Sequence, residues 1–212
     1  GTAGQMLLTT RNARDITLRA LDVLRAADIV ACEDTRVSAK LFTLYGIHAA
    51  TLAYHDHNAA QMRPRLLRAL QEGKIVALIS DAGTPLIADP GWRLAREAVE
   101  AGHYVTALPG ASAPVMALTL SGLPSDRFLF AGFLPERSAE RRRSLRELQS
   151  VPATLVFFES PRRLADSLAD ALAVLGDRPA AVARELTKLF EEIRRGSLAE
   201  LAAHYAEAPT PK

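Results

Sequence analysis

Cys32 is the only cysteine in 212 residues. That excludes an internal disulfide framework and points to a cytosolic setting. The cysteine sits in the apolar run Asp28-Ile29-Val30-Ala31-Cys32, so it reads as a buried, inert thiol. No apolar run approaches the roughly 20 residues of a membrane-spanning helix. The start of the chain lacks a charged segment followed by an apolar core, so no secretory signal is expected. Neither sign of charge dominates: 26 basic against 24 acidic residues leave a net +2, which neither demands nor excludes a nucleic acid. Internal repeats and low-complexity tracts are absent too. What is present is ample apolar material, 49% of the chain, enough for one large domain or two small ones.

Apolar periodicity alternates between strand and helix along the chain. Asp15 is expected to cap a helix carrying Ile16, Ala20, Leu21 and Leu24. Strands are expected at 29–31, 51–54, 75–80 and 104–108. Between them the spacing predicts helices at 38–45, over Met62 to Leu70 and from Trp92, with another at 112–120. The stretch Ser121-Gly122-Leu123-Pro124-Ser125-Asp126 reads as a boundary. Beyond it come strands at 128–133, 154–158 and 180–184, an ambiguous edge strand at 190–193, and helices at 139–149, 162–175 and 198–205. The alternation up to the boundary implies a largely parallel sheet with covered faces, and the expectation is α/β: two small lobes, 1–121 and 122–212, with a cleft between them.

Polar residues gather where the strands end. In open α/β sheets that is where ligands sit. The longest such loop is Asp81-Ala82-Gly83-Thr84-Pro85-Leu86-Ile87-Ala88-Asp89-Pro90-Gly91. It exceeds the usual strand-to-helix connection of about 2–6 residues. Its prolines fix a shape and its glycines let a ligand approach backbone groups. Glu33-Asp34-Thr35-Arg36, Tyr54-His55-Asp56-His57-Asn58 and Pro109-Gly110-Ala111-Ser112 close other strands of the first lobe. Glu159-Ser160-Pro161-Arg162-Arg163 and Arg184-Glu185-Leu186-Thr187-Lys188 do so in the second.

Several of these residues carry two readings. Asp34, His55, Asp56 and His57 suit proton transfer or substrate positioning. Glu33, Asp34 and Arg36 equally suit a salt bridge that braces the rim. A His55–His57 metal pair lacks a third ligand at convincing spacing, so no metal is expected. Asn12 and Asn58 suit substrate contact or turn capping. Arg137, Arg141, Arg142, Arg143 and Arg146 suit bidentate phosphate contact, or a solvated helix face paired with Glu136, Glu140 and Glu147.

Taken in order, Asp15-Ile16-Thr17-Leu18-Arg19-Ala20-Leu21, Glu33-Asp34-Thr35-Arg36, His55-Asp56-His57-Asn58, Ser80–Gly91, Leu108-Pro109-Gly110-Ala111, Gly132-Phe133-Leu134-Pro135, Glu159-Ser160-Pro161 and Arg184-Glu185-Leu186-Thr187-Lys188 resemble the ribosomal RNA small subunit methyltransferase I family, within the tetrapyrrole methylase fold. The resemblance implies an S-adenosylmethionine-dependent enzyme making a 2′-O-methylated cytidine in 16S ribosomal RNA, working as a cytoplasmic homodimer. It implies donor binding at Asp81, Ala82, Gly83, Thr84, Pro109, Gly110, Ala111 and Ser112. From the chemistry of methyl transfer rather than the resemblance, the catalytic candidates are Asp34, His55 and His57. RNA contact falls to Asn12, Arg36, Asn58, Arg141, Arg142 and Arg143. Two departures stand out. Thr9-Thr10-Arg11-Asn12-Ala13 occupies the place of the family's Thr-Pro-Ile-Gly-Asn-Leu. The chain also stops at Pro211-Lys212, where the family continues into a closing strand, so a final strand is expected to be missing. A tetrapyrrole-precursor methyltransferase of the same fold and a non-catalytic RNA-binding protein remain as alternatives.

Overall fold

The computed structural model describes residues 13–80, 83–88 and 91–207. The chain divides into two units, one ending at Ser112 and the other starting at Ala113. The boundary expected at 121/122 stands one helix later than this division.

In the first unit, α1 (Leu18–Ala26) leads into β1 (Ile29–Cys32), α2 (Thr35–Tyr45), β2 (Ala50–Ala53), α3 (Ala59–Gln71), β3 (Val76–Ile79) and α4 (Trp92–Glu100). The strands form a parallel sheet in the order β2-β1-β3. Every residue of β3 is buried, as is most of β1. That burial explains their unbroken apolar runs, since helices cover both faces. One face packs on Leu21, Leu24 and Phe42, the other on Leu66, Leu70 and Leu94. Truncating Leu66, which is fully buried, to alanine would cost about 2–5 kcal/mol.

Two expectations for this unit need correction. Asp15 does not cap the first helix. It closes a single 3-10 turn, Ala13–Asp15, and Thr17 takes the cap, its Oγ1 accepting from Ala20 N–H at 3.2 Å. No strand forms at 104–108. Within that segment, Val105 and Leu108 turn toward the core while Tyr104 is exposed. A spacing of three between inward residues breaks the two-residue alternation that a half-buried strand requires.

The second unit opens with α5 (Ala113–Ser121), whose sequence is apolar nearly all round. This helix packs on β5, β6 and β7, which is why it groups with the second unit. Then follow β4 (Phe128–Phe133), α6 (Ser138–Leu148), β5 (Thr154–Phe158), α7 (Leu164–Leu175), β6 (Pro179–Arg184), β7 (Glu192–Ser197) and α8 (Leu198–Glu207). β4 and β5 pair in parallel, with a register shift between Phe130 and Phe133. Gly132, at φ +66°, supplies the left-handed residue such a bulge uses. β6 and β7 pair antiparallel, so the expected edge strand exists but lies later, at 192–197. Leu145, Ala171, Leu175 and Leu198 form the core beneath α6, α7 and α8. Among the described residues, no helix is long and apolar enough to cross a membrane.

Candidate active site at the rim of the first unit

Cys32 is in register with both Ala53 and Ile79, so the three strands stop at one level. Glu33, Tyr54 and Ser80 follow side by side, and the polar segments of the sequence continue from there.

After β1, Asp34 is the N-cap of α2. Its Oδ1 accepts from the Arg36 backbone N–H at 2.8 Å, and the Arg36 Nη2 pairs with Oδ2 at 2.7 Å. The side-chain and backbone hydrogen bonds of Arg36 lower the Asp34 carboxyl to about 2. Such a carboxylate is a poor proton acceptor for an alcohol near neutral pH. The helix therefore starts at Thr35, three residues before the expected 38, because the cap lies upstream of the apolar positions. Arg36 itself projects into solvent.

After β2, Tyr54 is buried and burial pushes its phenol up, against a hydrogen bond from Arg63. Arg63 in turn pairs with Glu97 at 2.8 Å, tying α3 to α4. Asn58 donates through Nδ2 to Ala53 O at 2.9 Å and accepts from His55 N–H at 2.9 Å. Its amide thus holds the loop in shape, the turn-capping alternative. His55 Nδ1 is buried and has no hydrogen-bond partner among the described residues. The ring of His57 lies edge-on to it, with 5.9 Å between centroids. Asp56 and His57 are exposed.

After β3, Asp81 and Ala82 lie outside the described residues. Gly83 stands at φ +71°, and a Cβ there would meet nothing within 4 Å. Thr84 Oγ1 donates to Ala111 O at 2.9 Å. That bond joins the two segments expected to bind the donor. Pro109 and Gly110 are exposed, while Ala111 and Ser112 are half-buried. Leu86 and Ala88 also adopt positive φ, +68° and +55°. Left-handed non-glycine residues cost about 1–3 kcal/mol each and concentrate at ligand sites. Nothing in their side chains announces this, so the sequence held no signal for it. Asn12 lies outside the described residues. Among the described residues, no group of three His, Cys, Asp or Glu could hold a metal ion.

In the second unit, the expected run of phosphate-binding arginines divides. Arg141 is not available to a phosphate: it is 3% exposed, and its Nε pairs with Asp170 Oδ2 at 2.7 Å. Its Nη1 donates to the carbonyls of Pro135 and Glu136. Packing of α6 on α7 turns this one arginine inward. Arg142 and Arg143 face outward. Glu159 accepts from Arg163, Ser160 N–H and Ser167 Oγ, so that patch is an internal brace. Asp170 escaped sequence reasoning. It shares a helix face with Ser167, Ala171 and Leu175, and an acid there was the available signal.

Residues 10–202 match the family model for Tetrapyrrole (Corrin/Porphyrin) Methylases. A protein of Mesorhizobium japonicum named ribosomal RNA small subunit methyltransferase I is 62% identical over 95% of this chain and 69% of its own length. One of the same name from Micromonospora olivasterospora is 55% identical over 91% of this chain and 61% of its own. The chain thus spans roughly two thirds of such relatives. Among solved structures, diphthine synthase superposes with TM-score 0.74 at 18% identity, covering 99% of this chain and 86% of that one. Uroporphyrin-III C-methyl transferase from Thermus thermophilus, complexed with S-adenyl homocysteine, gives 0.63 at 22% identity, covering 98% and 94%. Those two likenesses show the fold.

Proposed function

The chain belongs to the tetrapyrrole methylase family and, within it, to the ribosomal RNA small subunit methyltransferase I family, and we propose that it methylates the 2′-hydroxyl of a cytidine in 16S ribosomal RNA with S-adenosylmethionine as donor. The observation that carries this reading is the Thr84–Ala111 hydrogen bond. It draws the post-β3 loop and the 109–112 turn together beside three strand ends in register. The residues present fit the donor: Gly83 leaves open space over its backbone, the next residue, Thr84, is tied to the Ala111 carbonyl, and Pro109 and Gly110 are exposed in the same turn. Asp81 and Ala82 belong to the same proposed loop.

When bound, the donor supplies an already activated sulfonium methyl group. The chain's work is then alignment of the acceptor and removal of its proton. His55 is the proposed proton acceptor, because its Nδ1 is the partnerless buried nitrogen at the rim. His57, edge-on to it and exposed, is the second proposed catalytic side chain at this rim. Asp34 keeps a structural and electrostatic part: it holds the start of α2 and pairs with Arg36, the proposed RNA contact. Asn58 shapes the His55 loop, and Asn12 remains a proposed substrate contact. The protein is further proposed to act in the cytoplasm as a homodimer.

Isothermal titration with S-adenosylmethionine, followed by primer extension on unmethylated 30S particles, tests the reading. Donor binding and a stop at one cytidine are expected. Absence of donor binding would favour a non-catalytic RNA-binding protein. Turnover of a tetrapyrrole precursor without an RNA stop would move the substrate class. Light scattering tests the dimer, and a monomer mass at micromolar protein with donor binding intact would remove it.

A further inference from the structure

Asp170 is 4% exposed, and its one carboxylate serves two guanidiniums. Oδ2 accepts from Arg141 Nε at 2.7 Å and Oδ1 from Arg142 Nε at 2.6 Å. Ser138 Oγ adds a third bond at 3.1 Å. Two positive charges meet one negative, so the cluster keeps a net positive charge. It does not stay on Arg141, which is buried and bonded to carbonyls. It falls on Arg142, whose side chain is 48% exposed. Among the described residues, the Nε of Arg142 holds its only side-chain bond. The two terminal nitrogens, the fork that grips a phosphate, meet no acceptor among the described residues.

Arg146 follows one helical turn later, exposed and in no ion pair among the described residues. At about 100° per residue, Arg142 and Arg146 stand only about 40° apart around α6. Glu140 and Glu147 stand about 140–160° from Arg142 on the same count, and Glu140 is already near Arg137, at 3.9 Å. The helix therefore presents an arginine face with its own carboxylates turned away. A free arginine must lose side-chain entropy to bind. One already held by Nε has lost part of it beforehand.

We propose that Asp170 is a positioning residue for the RNA: it holds Arg142 by Nε so that its outer edge, together with Arg146, binds phosphates of the ribosomal RNA backbone. This rests on the ribosomal RNA reading above and sharpens it. Phosphate contact belongs to Arg142 and Arg146, with Arg141 as the internal tie. Lysine could not replace Arg142, since a single ammonium cannot bond Asp170 and also offer a bidentate edge.

The test measures binding of a 16S ribosomal RNA fragment and of 30S particles across a salt series, with donor affinity as a parallel readout. Arg142→Gln is expected to weaken RNA binding about tenfold and reduce the salt slope by about one. Its KM for 30S particles should rise with kcat unchanged, and donor affinity should stay the same. Arg142→Lys keeps the charge and should restore the slope without restoring the affinity. Asp170→Asn should weaken RNA binding in any sample that folds; if it does not fold, the Arg142 pair of variants decides alone. Arg25→Gln, an exposed arginine of the first unit, should change nothing. RNA binding by Arg142→Gln and Arg142→Lys equal to wild type, in salt slope as well as affinity, would overturn the proposal and make Arg142 a structural brace. A wild-type protein that binds donor but no RNA would overturn the ribosomal RNA reading itself, and with it this one.

Discussion

Asp34 pairs with Arg36 at 2.7 Å in the first unit, and Asp170 pairs with Arg142 at 2.6 Å in the second. The residue types and distances are nearly the same, yet the surroundings differ. The Arg36 side chain is 89% exposed, so water can replace either partner. Asp34 and Arg36 are two residues apart, and their pair mainly finishes the cap of α2. Asp170 lies between two helices, with its side chain 5% exposed and Arg141 at 4%. Burial alone would raise the Asp170 carboxyl. Bonds from Arg142, Ser138 and Arg141 outweigh it and hold the group below the ordinary carboxylate value. An exposed pair can open and re-form around a substrate at small cost. A buried one cannot lose a partner without stranding a charge. The first unit thus carries an adjustable rim, and the second a rigid clamp with one arginine left facing out.

Removing the clamp is the most severe way to break this contrast. Asp170→Ala leaves Arg141 buried and unpaired, and should cost about 3–5 kcal/mol, read as a shift in the urea midpoint. A loss comparable to that of an exposed pair would erase the distinction. Gly83→Val comes next. A branched residue at φ +71° costs about 1–2 kcal/mol in local backbone strain. The larger consequence should be in titration calorimetry, as weakened donor binding in a folded protein; unchanged affinity would take the loop out of the site. Thr84→Val removes the bond to Ala111 and should cost about 1 kcal/mol, again visible in donor affinity more than in melting.

Asp34→Ala removes a partly exposed helix cap, a modest loss at neutral pH. Its signature lies in acid. The folded-state carboxyl at about 2 is below its ordinary 3.8. The stability it adds is full above about pH 5 and is lost as pH falls through 3.8 toward 2. Asp34→Ala should therefore flatten the acid limb of a stability profile in that window. Asp170 is shifted in the same direction, so an acid limb should persist in that variant. Its complete disappearance would mean that the buried cluster does not titrate as the geometry requires.

Most of the fold was legible in the sequence because local chemistry wrote it. The buried strands 29–32 and 76–79 are unbroken apolar runs, and α7 stops at Gly176 as its pattern predicts. The 104–108 segment misled because Tyr104, Val105 and Leu108 have strand-like side chains, and only their inward spacing shows that no ladder forms. Thr17 was passed over for Asp15 because both can cap, and the choice depends on where α1 packs. At the site, segments 83–84 and 109–112 were identified separately. Their joining through Thr84 and Ala111 spans 27 residues, a distance no local pattern expresses.

The sequence by itself determined the alternation of strands and helices, the polar strand ends and the family to which they belong, since those are properties of neighbouring residues and their order. Tertiary structure alone decided that three strands stop at one level, that His55 keeps a buried nitrogen without a partner, and that Leu86 and Ala88 take left-handed backbones. It also decided the fate of Arg141-Arg142-Arg143. Three identical side chains in a row are told apart only by the helix that packs against them, because burial and the position of Asp170 are set by α7 and not by the chain on either side.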